Sequence, residues 1–311
     1  MYWTRKAAFV ALVVLAGKAQ GQATHDYASL IIAADSLYTA KDYLNSARMY
    51  TAAFRANGWK GDVDVHYNAA CTWALAGNPD SAFLNLGKIS GVMTNLKHVT
   101  SDADLVTLHA DKRWAPLVEK IKSNKARVEA NMNMPLAREL DSIFNEDQTY
   151  RHKIEAVEKQ YGRDSKEMKD LWKVIMHKDS LNLIRVTQIL DQYGWLGRAV
   201  VGGQGNMTLF LVIQHSDLKT QEKYLPMMRD AVKKGNAQAA NLALLEDRVA
   251  LAQGRKQIYG SQIHFDNATG KYFVAPIDDE VNVNKRRAAV GLEPLERYAR
   301  QWGIIYRVPV K

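Results

Sequence analysis

Two stretches of this chain can be laid over each other. They are "AKDYLNSARMYTAAF" (Ala40–Phe54) and "AGNPDSAFLNLGKI" (Ala76–Ile89), and an offset of 35 residues pairs Ser46 with Ser81 and Ala47 with Ala82. Each has turn-forming residues ahead of an apolar helical stripe, with a small residue where a second helix can pack close. Self-similarity at this spacing constrains folding strongly. A unit of that length is one helical hairpin, which cannot bury its apolar face alone and gains a core only by stacking on neighbours. A third segment, "DADLVTLHADKRWAPLVEKI", carries the helical pattern onward through Leu105, Leu108, Trp114, Leu117 and Ile121.

With aromatic positions at Tyr43, Tyr50 and Phe83, these hairpins resemble the tetratricopeptide repeat, whose period is about 34 residues. The resemblance covers about two degenerate repeats within residues 22–124. It implies a helical domain that meets a protein partner through its concave face.

The first residues, "MYWTRKAAFVALVVLAGKAQGQ", have the form of a secretory signal peptide over residues 1–21. Arg5 and Lys6 precede a short apolar run, and Ala19 and Gly21 are the small residues before a cleavage at Gln22. The expected location is therefore periplasmic or secreted. No cysteine lies near the cleavage, so no lipid anchor is expected, and no later segment is apolar enough to span a membrane. Removing Arg5, Lys6 and Lys18 takes the net charge from +9 to +6. The remaining cations are scattered among acids without a dense basic stripe, which disfavours nucleic acid as a partner. Cys71 is the only cysteine, so no internal disulfide can form; its apolar helical setting suits a small buried hydrophobe.

"KSNKARVEANMNMP" (Lys122–Pro135) is polar, and residues 125–134 are read as the junction to a second domain over 135–311. From Pro135 the periodicity is again mostly helical. Asp164 with Glu167 suggests a capping box, a helix start is expected after "VGGQGN", and "NAQAANLALLEDRVALAQG" is apolar on most sides, as a central helix would be. "SQIHFDNATGKYFVAPI" reads as a β-hairpin around Asp266–Gly270, and "IIYRVPV" as a last strand. The fold class is thus mainly α: tetratricopeptide-like hairpins, then a mostly helical domain with a small β-hairpin.

Across Leu136–Ala299 a series of short motifs occurs in order: "LW", Asp179 with Asn182, "YGW", "VGG", "QHSD", "DRV", "QIYGSQ", "RRAAVGL" and "PLERY". The ordered set resembles a bacterial domain family of unknown function with the pattern GWP, QH, DR, YGTQ and RR-x-x-VGL. Leu196 stands where that pattern has proline, and Ser261 where it has threonine, which keeps the hydroxyl. The resemblance identifies a domain and implies no chemistry.

The residues themselves leave several readings open. His215 ends the apolar run "FLVIQHSD". It either satisfies one buried hydrogen bond or serves as acid, base or ligand at a helix end, with Gln214 beside it to orient a bound group. Asp179 and Asp217 could join it, although no metal-ligand spacing is present and no metal or cofactor is expected. Asp247 and Arg248 are charges in an apolar helix and must pair, reach solvent or line a pocket; Asp247 or Asp179 is the candidate to orient His215. Arg286 could supply a partner or bind an anion. Tyr259, Ser261 and Gln262, with Gly260 among them, suit a polar ligand such as a glycan or peptide, and equally suit bracing a turn.

Three functions therefore stand. One is an exported binding or scaffold protein with a polar-ligand pocket. Another is an envelope hydrolase using His215, and a third is a purely structural domain whose polar motifs pair internally.

Overall fold

The structure, a computed structural model, describes residues 23–309. The expected signal peptide lies outside them. The described residues divide into two compact units, 23–131 and 132–309. They hold fourteen α-helices, two short 3-10 turns and one two-stranded antiparallel sheet, so the fold is mainly α. No helix among them is long and apolar enough to cross a membrane.

In the first unit, α1 (Ala23–Thr39), α2 (Tyr43–Ala56), α3 (Val63–Leu75) and α4 (Pro79–Ile89) pack each on the next. The short connections force successive helices to run antiparallel. Caps set the starts: Asp42 accepts from the Asn45 amide and Asn78 from the Ser81 amide, with Pro79 in the first turn. Ala47 and Ala82 are fully buried where helices meet. The caps Asp42 and Asn78 lie 36 positions apart, one more than the offset that aligns the side chains. Next come α5 (Leu96–Ser101), a 3-10 turn (Ala103–Leu108) and α6 (Trp114–Glu129), which close the core around Leu86, Leu105 and Ile121.

Most of the segment read as a junction is helical, because α6 runs on to Glu129. Its lysines and arginine are good helix formers facing solvent, while Asn124 is buried and donates to the Ser90 and Met93 carbonyls at 2.7 and 3.1 Å. The polar connection is limited to residues 130–133.

The second unit opens with α7 (Met134–Arg151), capped by Asn133, and α8 (Ile154–Tyr161). The cap of α9 (Lys166–Tyr193) is Ser165, whose Oγ accepts from the Met168 amide at 3.1 Å, rather than Asp164. α9 is a single helix of 28 residues. It stops at Gly194, whose φ of 69° fits glycine. α10 (Arg198–His215) begins before "VGGQGN" and kinks at Gly202. α11 (Leu218–Lys233) starts at the Asp217 cap, and α12 (Ala239–Ala252) is largely buried.

β1 (Ile263–Asp266) pairs antiparallel with β2 (Lys271–Val274), with Ile263 opposite Val274. α13 (Val283–Ala289) and α14 (Leu295–Arg300) follow. Residues 304–309 form no strand; Tyr306 and Val308 instead pack on Ile277, Val283 and Leu295.

Candidate functional site

On α7, Leu140, Ile143, Asp147 and Arg151 follow one another at helical spacing, so two charges continue an apolar stripe. On α9 the sequence Ile175, Asp179, Asn182, Val186 does the same. Packing of the helices sets these groups at one level. Thr208 donates to the Leu140 carbonyl at 3.1 Å and the His215 ring bonds Asp147 at 3.0 Å, both across 68 residues, so α7 and α10 run parallel in register. Arg185 meets Glu139, and Arg151 meets Asp179, so α9 runs antiparallel to α7.

The result is a polar layer bounded on both sides by apolar packing. One side is the main core with Leu140, Ile143, Val186 and Leu190; the other holds Ile154, Met168 and Ile175.

Asp147 is at the centre of the layer and 1% exposed. Its Oδ1 lies 3.0 Å from His215 Nδ1 and 3.0 Å from the Arg151 guanidinium, and its Oδ2 accepts from Gln148 at 2.6 Å. Burial alone would raise its carboxyl; His215, Arg151 and Gln148 outweigh burial and hold it below the usual carboxylate range. Arg151 spans both acids, reaching Asp179 Oδ2 at 2.7 Å. A carboxylate only accepts, so His215 donates through Nδ1, and whenever the ring is neutral its lone pair is on Nε2. No protein group bonds Nε2 among the described residues, and the side chain keeps 12% exposure.

The layer has hydrogen-bonding capacity that the protein does not use. Asp179 Oδ1 and both polar atoms of the fully buried Asn182 have no protein partner among the described residues.

Asp147, Asp179 and His215 lie close enough to hold a metal ion. Arg151 already bridges both carboxylates, so a cation would have to displace a guanidinium, and the donor set suits a metal poorly.

The other motif residues form a separate network. Asp247, 0% exposed, accepts from the amides of Ile258 (2.6 Å), Tyr259 (2.9 Å) and Ser261 (2.9 Å). Burial raises its carboxyl, opposed by those three amides. The carboxylate against His215 is therefore Asp147, and Asp247 has its oxygens committed to the 258–261 loop. Arg286 donates to the carbonyls of Ile258, Asp278 and Asp279, and Arg287 to those of Tyr259 and Glu293. Gln257 clasps the backbone of Gln262 and Ala275, while the Gln262 amide bonds Ser261 Oγ.

Of the two readings open for Tyr259, Ser261, Gln262 and Arg286, these contacts are those of a braced turn. Gly260 has a φ of +70°, and a Cβ there would sit 2.9 Å from Ile277 and 3.0 Å from Leu295. Gly260→Ala should lower stability by about 2 kcal/mol in a urea titration, combining backbone strain with overpacking.

Arg248 is strongly desolvated and feels charges from both networks, Arg151 of the first and Tyr298 of the second. Desolvation, added to by the Arg151 charge, pushes its guanidinium down to about 10. Burial and then Arg248 lower His264 as well. The folded His264 thus binds its proton more weakly than the unfolded chain does. Stability tied to the neutral ring is complete above the unfolded value near 6.5 and falls as pH drops toward the folded one. Melting curves should show this loss setting in as pH falls below about 7, and His264→Gln should reduce it.

Gln214, His215 and Asp179 are legible as candidates in the sequence, and the structure brings His215 and Asp179 to one layer through Asp147 and Arg151; Gln214 is buried with its Oε1 unpartnered among the described residues, and Asp217 is a helix cap. Asp147, Arg151 and Asn182 are the residues sequence reading misses as a site. Their signal is present: charged or amide side chains sitting on the apolar stripes of α7 and α9.

Residues 135–311 match the model of DUF6624, a family of unknown function. No curated protein and no solved structure matches the chain.

Proposed function

The chain belongs to the DUF6624 family, and from that premise we propose that the family unit is a hydrolase whose proton-transfer group is His215. The observation that carries this is the Asp147–His215 pair: a buried carboxylate held below the usual range fixes the ring through Nδ1, so the neutral ring has its lone pair on Nε2, which no protein group bonds among the described residues. Such a base takes a proton from water as its oxygen attacks, then returns it to the leaving group. Among the unused groups nearby, Asn182 offers a neutral amide and Asp179 keeps one acceptor oxygen, while Arg151 is shared between both acids. That favours a neutral substrate rich in hydroxyls and amides, the chemistry of glycan and peptide material in a cell envelope. Export by the N-terminal signal would place the enzyme there.

The binding and scaffold reading attaches to residues 23–131, where the stacked hairpins offer a surface for a protein partner. The pocket it would need in the second unit is weakened by the internal bonding of "QIYGSQ".

The test incubates the full chain with purified envelope glycopeptide and measures new reducing ends and amines. Wild type should release product, and His215→Gln should slow release by about 10²- to 10⁴-fold. Equal rates for the two proteins would remove His215 from catalysis.

A further inference from the structure

We propose that a groove between α2 and α3 binds an acidic, extended peptide segment of a protein partner. This deepens the reading of residues 23–131 as a partner-binding unit and is independent of His215. Arg48, Thr51, Ala52 and Arg55 of α2, with Trp73 of α3, line a cavity of about 250 Å³.

Arg48 and Arg55 are two helical turns apart, so both point to the same side of α2, and both are exposed. Neither guanidinium makes an ion pair among the described residues. The hydrogen bond of Arg48 is a 3.4 Å contact with Asn45, and Arg55 lies 5.9 Å from the Trp59 ring. The unit neutralises Arg113 differently, with Asp80 and Asp111 both at 2.7 Å. The groove therefore presents two uncompensated cations beside a half-buried indole.

Seven residues of helix separate the two arginines by about 10 Å. A peptide in the extended polyproline II conformation rises about 3.1 Å per residue with three residues per turn, so carboxylates three positions apart lie on one side, about 9 Å apart, and would meet both guanidiniums. The two residues between them would lie over Thr51, Ala52 and Trp73. Guanidinium binds carboxylate through paired N–H donors, which gives geometry as well as charge. A nucleic-acid strand fits less well, because the groove is short and no continuous basic stripe extends from it.

The experiment measures anisotropy of a fluorescein-labelled GEAAEG peptide on the full chain at low salt. It includes GQAAQG, the variants Arg48→Ala/Arg55→Ala and Lys60→Ala, and a six-nucleotide thymidine strand. Both arginines are exposed, and matching far-UV circular dichroism controls for folding.

The acidic peptide should bind at least tenfold tighter than GQAAQG. The double variant should lose at least tenfold, while Lys60→Ala stays within twofold. Several results would overturn the proposal: no binding at millimolar peptide, equal binding of GQAAQG, an equal loss in Lys60→Ala, or tighter, arginine-dependent binding of the thymidine strand. A partner that co-purifies equally with wild type and the double variant would leave partner binding standing and remove this groove from it.

Discussion

Asp247→Ala should lower the unfolding free energy of the 132–309 unit by about 4 kcal/mol, the largest stability effect expected from any single polar change here. The basis is the number of donors this one carboxylate serves. Ile258, Tyr259 and Ser261 all direct amides at it inside a fully buried site. Removing the acceptor strands three N–H groups, each at about 1–3 kcal/mol, with some relief as the loop relaxes. Asp247→Asn keeps one acceptor oxygen and should cost about half as much. Urea unfolding followed by tryptophan fluorescence separates the three proteins. An alanine variant as stable as wild type would show that the 258–261 loop does not depend on Asp247.

Asp147→Asn should have two effects at once. It leaves Arg151 in the buried layer with one charged partner instead of two, a loss of about 3 kcal/mol by comparison with other broken buried pairs. It also removes the anion that selects the His215 tautomer, so turnover should fall by about 10²-fold or more. The pH behaviour carries its own sign. The folded Asp147 carboxyl sits below its unfolded value, so its contribution is fully present above the ordinary carboxylate range and is lost as pH falls through the folded value. Wild type should therefore lose part of its margin below about pH 4, and the asparagine variant should lose less over that interval.

These two variants separate the polar motifs by role, a distinction the sequence carries only in part. Helical periodicity is enough to mark α7, α9 and α12, and Asp266–Gly270 marks the hairpin turn, because these signals are local. The grouping of the polar residues is set by register between distant segments. Asp247 looks as good a partner for His215 as any acid until α10 is laid parallel to α7, which puts Asp147 against the ring. Asp147 is hidden in a charged-looking stretch, "NEDQTYRH", where its place on the buried face shows only when counted from Leu140 and Ile143. The polar tail of α6 misleads in the opposite way: a solvent-facing helix has the composition of a linker.

That Asp147 holds His215 with Nε2 open as a base is testable without any substrate by ¹⁵N-histidine NMR. At a pH where the ring is neutral, His215 should be the Nδ1–H tautomer in wild type, and Asp147→Asn should abolish this preference. A ring protonated on Nε2 in the wild-type protein would contradict it.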